Sequence, residues 1–237
     1  MKIDCQLLPG PRSGESEDRL FVVIDVLRAT STIVTGFMNG CQSIVPVVEV
    51  EEAFRLADGP LRGALIGGER GGFAVEGFDL GNSPQEYTKQ RVEGRTIIIT
   101  TTNGSRAFRS LPHEAVGAVA SFLNLDAVVR HCLTYRKDVS IMSSGREGGF
   151  SLEDAVCAGE IVESIWRRCQ DRPDVTDAAL ASMILYNRFQ GDLVEMLRSS
   201  VHGRYLEEIG LGEDLQYCAQ VDLTDIVPIY REGKIEL

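Results

Sequence analysis

Residues 21–40, FVVIDVLRATSTIVTGFMNG, join an apolar segment to an amphipathic one through a short polar turn. Residues 21–24 are aromatic and β-branched, which is the composition of a buried strand. Residues 31–39 have the length and pattern of a helix, with Thr30 or Ser31 as its predicted N-cap and Gly40 at its end. Because a strand that leads directly into a helix is the repeating unit of α/β proteins, this stretch predicts that fold class.

The same alternation of short apolar runs and amphipathic segments continues along the chain. Further strands are predicted at residues 44–48, 64–66, 96–100, 115–120 and 139–142. Further helices are predicted at residues 51–57, 126–135 and 152–168, the last with Ser151 and Asp154 in an S-x-x-D capping pattern. We therefore expect a three-layer α/β/α fold with a mainly parallel or mixed sheet that carries helices on both faces.

The domain organisation leaves two arrangements open. A single domain over residues 1–237 is expected, with a polar loop at 14–18, a mainly helical segment at 174–220 and a closing strand at 226–230. Residues 21–32 and 96–106, however, both lead from a strand into a Thr/Ser-rich turn with an arginine. That internal similarity allows two similar lobes, with a boundary near residues 121–138.

Composition and charge restrict the classes of partner. Of the 237 residues, 43% are hydrophobic, which is enough for a full core. No apolar run approaches the roughly 20 residues that cross a bilayer, so we expect a cytoplasmic protein with no membrane contact. The net charge of −11 opposes binding to nucleic acid, and an anionic ligand would need a local cluster of positive charge. A homodimer is predicted without a decisive interface motif.

Polar, glycine-containing loops follow four of the predicted strands. Their sequences are DVLRATST at 25–32, GGERGG at 67–72, TTTNGSR at 100–106 and SSGREGG at 143–149. In a parallel sheet the carboxyl ends of the strands emerge at one edge, where α/β folds bind ligands. The four loops therefore predict one pocket.

Each of these loops contains one arginine: Arg28, Arg70, Arg106 or Arg146. Guanidinium groups form bidentate hydrogen bonds with phosphate, carboxylate and sulfonate oxygens, and helix N-termini favour the same anions. Any one arginine could instead belong to a surface ion pair. Their recurrence in four loops nevertheless favours a small anionic substrate.

Carboxylates in the same loops indicate a cation. Asp25 and Glu69 stand at predicted strand ends, and hard oxygen ligands of this kind suit Mg²⁺, which takes one or two protein carboxylates together with substrate phosphate oxygens. The alternatives are an N-cap or an Arg28 partner for Asp25, and an ion pair with Arg70 or another loop arginine for Glu69. Asp154 is a third catalytic candidate, although helix capping accounts for it equally well.

Histidine chemistry is not expected from the sequence. His113, His131 and His202 lie outside the glycine-rich and strand-terminal motifs. Ordinary surface or core histidines explain this distribution, which disfavours a histidine nucleophile or general base.

Several of these motifs together resemble the 2-phosphosulfolactate phosphatase (ComB) family. They span roughly residues 22–160 in the family's order, and they read VVIDVLRATSTIV, LIGGERGG, GFDLGNSPQEY, TTTNGSRA, SFLN and SSGREGGFSLEDAVCAG. Motifs that recur in order are more specific than any single glycine-rich string.

The resemblance implies a Mg²⁺-dependent phosphatase with an α/β/α fold. Such an enzyme hydrolyses 2-phosphosulfolactate to 3-sulfolactate and phosphate, a step in coenzyme M biosynthesis. It implies that Asp25 and Glu69 bind the metal or perform acid–base work, and that the four arginines bind substrate anions. Secondary polar contacts are implied for Thr30, Ser31, Asn103 and Ser144, and a supporting role in the loops for Asn82 and Asn124.

Three other functions remain open at this point. The pocket could serve another phosphorylated hydroxy acid, because a few side chains would retune it. It could belong to a non-catalytic module that binds an anion, although such a module does not need two carboxylates. A metal-dependent aldolase or lyase is the third, although these loops contain no lysine for a Schiff base.

Overall fold

The structure, a computed structural model, describes residues 1–8 and 19–237. The polar loop predicted at 14–18 lies outside the described residues. Strands within those two ranges are β1 Lys2–Gln6, β2 Leu20–Ile24, β3 Ser43–Pro46, β4 Leu65–Gly68, β5 Thr96–Thr100, β6 Val116–Ala120, β7 Val139–Ser143, β8 Asp174–Val175, β9 Ile229–Arg231 and β10 Lys234–Glu236.

Helices alternate with the strands and cover both faces of the sheet, so the predicted α/β class is confirmed. They are α1 Ala29–Met38, α2 Val50–Asp58, α3 Lys89–Val92, α4 Gly104–Arg109, α5 Leu125–Tyr135, α6 Leu152–Arg168, α7 Asp177–Phe189, α8 Leu193–Ser199, α9 Val201–Glu208 and α10 Glu213–Cys218. In the part of the chain that the structure describes, no helix has both the length and the apolar character that a membrane span requires.

The strands form one mixed sheet in the order β4-β5-β3-β10-β9-β6-β2-β7-β1-β8. Pairing is parallel within β4-β5-β3 and within β6-β2-β7-β1-β8. The C-terminal hairpin of β9 and β10 lies between these two groups and pairs antiparallel with both. Two parallel half-sheets that run in opposite directions are therefore joined by the last strands of the chain.

Alternation along β2 divides the core between the two faces of the sheet. Leu20, Val22 and Ile24 pack into the cluster that includes α5, α6 and α7. Phe21 and Val23 point to the other face, where α1 and α4 contribute to a second cluster. All five side chains are buried, and each contributes about 1.5–3 kcal/mol relative to exposure. This central strand thus anchors the turn that follows it.

Two crossing helices bring the loops of the opposed half-sheets together. The chain passes from β2 through α1 to β3, and from β5 through α4 back to β6. The N-termini of these helices meet, because a Cβ atom on Gly104 would lie 2.5 Å from the Cβ of Ala29. Five strand-to-strand steps separate β2 from β5, and a twist of about 20–25° at each step turns the opposed carboxyl ends toward one another.

The boundaries of several elements differ from the sequence-based expectation. The strand β1 was not predicted, although it pairs with β7 and β8. The predicted N-cap of α1 is wrong: the helix begins at Ala29, and the Thr30 and Ser31 hydroxyls donate to the carbonyls of Asp25 and Val26. The predicted closing strand exists as β9, but it pairs within the sheet and has β10 as its hairpin partner.

Candidate active site

A small cleft forms where the loops after β2, β4 and β5 meet. Its walls are Asp25, Leu27, Arg28, Glu69, Gly72, Asn82, Thr101, Asn103 and His202. The space accessible to a water-sized molecule is about 20 Å³, which is the room that one water molecule or one small cation needs. Asp25 and Glu69 line the same cleft, as predicted. Their loops, however, follow strands of the two opposed half-sheets, and not strands that end at one parallel edge as expected.

Asp25 is buried beside the start of α1. Its Oδ1 accepts a 3.2 Å hydrogen bond from the N–H of Ala29, so the helix-capping alternative describes one of its contacts. Burial raises the pKa of the Asp25 carboxyl to about 6, with a smaller rise from the charge of Glu69, whereas the positive charge of His202 lowers it. An acid this buried needs a nearby cation or a proton.

Glu69 ties two loops together with both carboxylate oxygens. Its Oε2 accepts from the N–H of Gly72 at 2.8 Å, and its Oε1 accepts from the N–H of Thr102 at 2.8 Å. Arg70 donates instead to the carbonyl oxygens of Glu69 and Val48 and to the Thr100 hydroxyl. Glu69 therefore lines the cleft without an ion pair to Arg70, because the Arg70 guanidinium donates its hydrogen bonds to backbone carbonyls and to a hydroxyl.

Arg28 forms a buried ion pair that crosses the molecule. Its Nη1 donates to Asp214 on α10 at 2.7 Å, and its Nη2 donates to the carbonyl of Gly72 at 2.7 Å. The carboxylate that pairs with Arg28 is therefore that of Asp214, and not that of Asp25 as the sequence had allowed. Arg28 lines the cleft, but its terminal nitrogens already have partners.

Asn82 lines the cleft and has an unpaired side-chain oxygen. The residue is 4% exposed, and its Oδ1 has no hydrogen-bond partner among the described residues. A buried amide oxygen without a donor is costly unless a ligand or an ion completes it. This atom is the strongest local signal that the cleft binds something.

Asp154 lies behind the cleft and holds the loops in register. Ser151 accepts from its backbone N–H at 3.3 Å, as the capping pattern predicts. Its carboxylate accepts from the N–H of Val26 at 2.9 Å and from Ser144 Oγ at 3.3 Å. Burial, and then the charge of Asp25, raise the pKa of Asp154 well above its usual value. The structure therefore gives Asp154 a loop-positioning contact, and its catalytic role stays a prediction.

A larger cavity of about 560 Å³ adjoins the cleft at Asn103, which lines both. Arg106 and Ser144 line this cavity, together with Ser143, whose buried Oγ has no partner among the described residues. The Asn103 Oδ1 accepts from the N–H of Glu147 at 3.2 Å and so connects the loops after β5 and β7. The cavity offers space and polar contacts for a small organic acid.

The four predicted arginines do not converge on one point. Arg28 lines the cleft, Arg106 lines the larger cavity, and Arg70 belongs to neither lining. Arg146 stacks on the ring of Tyr205, with its guanidinium carbon 5.0 Å from the ring centroid. The hydroxyls of Thr30 and Ser31 are buried against the backbone, as described above. Substrate contacts for these residues stay predictions.

Helices α9 and α10 bring residues to the site that the sequence did not indicate. His202 lines the cleft, Asp214 pairs with Arg28, and the Tyr205 hydroxyl donates to the carbonyl of Gly71 at 2.8 Å. None of them belongs to a strand-terminal motif. The only available signal was their place in a helical segment that had no assigned role.

The residues present fit a Mg²⁺ ion of the kind that substrate helps to hold. No group of three or more His, Cys, Asp and Glu side chains within residues 1–8 and 19–237 is placed to hold a metal. The cleft nevertheless offers hard oxygen atoms from Asp25 and Glu69 and the unpaired Oδ1 of Asn82. Mg²⁺ commonly binds through one or two carboxylates, with water and phosphate oxygens completing its shell.

An α/β sheet whose loops gather buried carboxylates and basic side chains around a cleft is the architecture of an enzyme for a small anion. Residues 9–233 match the family model described as 2-phosphosulpholactate phosphatase, and the chain belongs to that family.

Similar proteins span almost the whole chain and carry the name probable 2-phosphosulfolactate phosphatase. The protein of Symbiobacterium thermophilum is 44% identical over 96% of this chain and 97% of its own length. The protein of Caldanaerobacter subterraneus subsp. tengcongensis is 41% identical over 92% of this chain and 90% of its own length. The protein of Clostridium acetobutylicum is 38% identical over 99% of this chain and 100% of its own length. The resemblance seen in the motifs is therefore confirmed.

Proposed function

We propose that this chain is a Mg²⁺-dependent phosphatase that hydrolyses the phosphate monoester of 2-phosphosulfolactate to 3-sulfolactate and phosphate. The observation that carries the proposal is the cleft lined by buried Asp25 and Glu69 and by Asn82, whose buried Oδ1 has no hydrogen-bond partner among the described residues. Family membership and the names of the relatives support the same substrate. Coenzyme M biosynthesis, a cytoplasmic location, a homodimer and the lack of a nucleic-acid partner are further parts of the proposal.

Asp25, Glu69 and Asn82 would hold the Mg²⁺ ion. When bound, the ion supplies positive charge against the phosphate oxygens and fixes their orientation. The ion would also offset the repulsion that the charge of Glu69 exerts on Asp25 and that the charge of Asp25 exerts on Asp154. A bound cation would therefore reduce the cost of keeping these carboxylates buried and charged.

The residues of the chain position the two ends of the substrate. The phosphate lies at the junction near Asn103, and the organic acid extends into the larger cavity. Arg106, which is exposed at that cavity, binds the distal anion through charge-assisted hydrogen bonds. Ser144 is held at the cavity wall by Asp154 and adds a hydroxyl. Water attacks the phosphorus atom, and the ester oxygen leaves with the hydroxy acid.

The test is phosphate release from purified protein over a panel of phosphorylated hydroxy acids, with and without Mg²⁺. Turnover of 2-phosphosulfolactate with Mg²⁺, and its loss with EDTA, is the expected result. Asp25→Asn and Glu69→Gln should each abolish it. The matched control is Glu51→Gln, which removes an exposed carboxylate on α2 and should leave the rate unchanged.

Three outcomes would contradict the proposal. Turnover that persists without a divalent cation would exclude the metal. Tight binding of the ester by both carboxylate variants, with no phosphate release from wild type, would favour a binding module. Carbon–carbon cleavage products in mass spectrometry would indicate a lyase or an aldolase.

A further inference from the structure

The loops after β4 and β7 contain two hairpin turns of the same geometry. Arg70 and Phe73 exchange both backbone hydrogen bonds across the first turn, at 3.0 and 3.2 Å. Arg146 and Gly149 do the same across the second turn, at 3.1 and 2.8 Å. The two central residues have φ values of +58° and +83° in the first turn, and of +50° and +81° in the second. Because both central residues have positive φ, both are type I′ turns.

The two turns differ in what fixes their central peptide. The first turn has Gly71 and Gly72 at its centre, and the peptide between two glycines can also adopt the reversed orientation of a type II′ turn. The second turn has Glu147 at its first central position, where a type II′ turn requires glycine. The side chain therefore fixes the second turn, whereas the first needs hydrogen bonds to select one orientation of its peptide.

The peptide between Gly71 and Gly72 is held from both sides. Its N–H donates to Oε2 of Glu69 at 2.8 Å, and its carbonyl accepts from the Tyr205 hydroxyl on α9 at 2.8 Å. In a type II′ turn this peptide would be reversed, and its N–H would point away from Glu69. Tyr205 thus begins a chain of hydrogen bonds that ends at a carboxylate of the cleft, and the members of such a chain strengthen one another.

The ring of Tyr205 makes a second contact, which does not involve the hydroxyl. The guanidinium carbon of Arg146 lies 5.0 Å from the ring centroid, within the range of a cation–π contact. Tyr205→Phe would keep this contact and lose only the hydrogen bond to Gly71. The two contacts of Tyr205 can therefore be separated by one conservative substitution.

We propose that Tyr205 is a positioning residue that orients the carboxylate of Glu69 through the peptide between Gly71 and Gly72. The inference rests on the proposed function, in which Glu69 binds the Mg²⁺ ion. Residues that orient a metal ligand from behind commonly change metal affinity or activity about 10–100-fold when they are removed. The C-terminal helices thereby contribute to the site through the geometry of a ligand that belongs to a sheet loop.

The first measurement follows the peptide itself, in EDTA. Amide hydrogen exchange, measured by nuclear magnetic resonance, reports how often the Gly72 N–H leaves Glu69. Tyr205→Phe should raise this exchange rate about tenfold, as expected for the loss of one hydrogen bond. The matched control is Tyr217→Phe, which removes the hydroxyl of another half-buried tyrosine, one that accepts a hydrogen bond from Thr35 at 3.2 Å. This control should leave the exchange rate of Gly72 unchanged.

The second measurement follows the effect on the cation and on the reaction. Thermal unfolding in the presence of inorganic phosphate gives the Mg²⁺ concentration at which stabilisation is half of its maximum. That concentration should rise at least about tenfold in Tyr205→Phe. At low Mg²⁺, kcat for 2-phosphosulfolactate should fall by up to the same factor. Tyr217→Phe should change neither quantity.

A second substitution, Gly71→Asn, separates the orientation of the turn from a general effect on the packing of α9. Asparagine tolerates positive φ, and Asn-Gly is a preferred central pair of type I′ turns. A Cβ atom at Gly71 would meet only the Tyr205 hydroxyl, at 3.8 Å, so there is room for the side chain to begin. In the Tyr205→Phe protein, Gly71→Asn should return the exchange rate and the Mg²⁺ midpoint to within about threefold of wild type, although the hydroxyl is absent.

Each result decides the inference. An unchanged Gly72 exchange rate in Tyr205→Phe would exclude an effect of the hydroxyl on the turn. Faster exchange that Gly71→Asn does not reverse would mean that Tyr205 acts through the packing of α9, and faster exchange with an unchanged Mg²⁺ midpoint would exclude an effect on the metal site. If wild type neither responds to Mg²⁺ nor releases phosphate, the proposed function fails. Faster exchange that Gly71→Asn reverses would even then support the orientation of Glu69 by Tyr205.

Discussion

Arg28 Nη1 lies 2.7 Å from Asp214 Oδ2, and both side chains are only 3% exposed. Asp214 also accepts from Ser83 Oγ at 2.6 Å, so it connects α10 to two loops of the sheet. A buried ion pair of this kind contributes little net stability over a well-packed apolar pair, but removal of one partner leaves an uncompensated charge. A single substitution of either partner should therefore weaken the packing of α10 against the sheet loops.

Asp214→Ala should lower the free energy of unfolding by about 3–5 kcal/mol, because Arg28 would remain buried without its carboxylate. Denaturation in urea measures this change. The control is Glu93→Gln, which breaks the exposed pair with Lys89 and should alter stability very little. Similar effects of the two substitutions would contradict a special role for the buried pair.

Asp25→Asn should stabilise the protein in EDTA while it removes activity. The folded pKa of Asp25 is raised to about 6 from 3.8, so its stabilising contribution is complete below the lower value and is lost as the pH rises through the upper one. Above about pH 6 the wild type carries a buried charge that asparagine lacks, while the Oδ1 contact with Ala29 is retained. The expected gain is about 3 kcal/mol near pH 8 and about 1 kcal/mol less near pH 5.5.

Unfolding in urea at the two pH values, with EDTA and then with Mg²⁺, measures that gain. Mg²⁺ should stabilise wild type and leave Asp25→Asn unaffected. A variant that is less stable than wild type near pH 8 in EDTA would contradict the charge argument.

Local signals in the sequence were sufficient for most elements. The bounds of β5 and α6 match the prediction, because an apolar run and the Ser151 cap are signals carried by adjacent residues. The central hairpin was not predictable in the same way. The pairing of Ile235 with Ile44 joins residues that are far apart in the sequence, and the residues adjacent to either one do not indicate it.

The same contrast between local signals and long-range packing applies to the residues of the candidate site. Asp25 and Glu69 could be singled out because each charge follows an apolar strand directly, and the structure places both in one cleft. His202 and Asp214 could not, because their position depends on how α9 and α10 pack over the loops. Sequence reasoning also overestimated the arginines, since it could not foresee that Arg70 would be engaged with backbone carbonyls.

Gly104→Ala should impair catalysis more than folding. The added Cβ would lie 2.5 Å from the Cβ of Ala29 and 2.8 Å from Asp25 Oδ2, so the two helix N-termini and the carboxylate must separate. A shift of this size should lower kcat/KM about 10²-fold, with a loss of about 1–3 kcal/mol in stability. Gly191→Ala, where an added Cβ meets nothing within 4 Å, is the control for both measurements. Normal kinetics in the Gly104 variant would mean that the position of Asp25 is not critical.

Arg106→Ala should raise KM with little change in kcat. Arg106 lines the cavity next to the cleft, whereas Arg109, one turn along α4, lines a separate cavity beside Tyr230. If Arg106 binds the distal anion of the substrate, its loss removes a charge-assisted hydrogen bond of about 1.5–3 kcal/mol, which is about a 10–100-fold rise in KM. Arg109→Ala removes another exposed arginine from the same helix and should leave KM unchanged. Steady-state kinetics on the two variants therefore separates recognition by one guanidinium from a general effect of positive charge near the site. If both variants raise KM alike, the larger cavity is not where the organic acid binds.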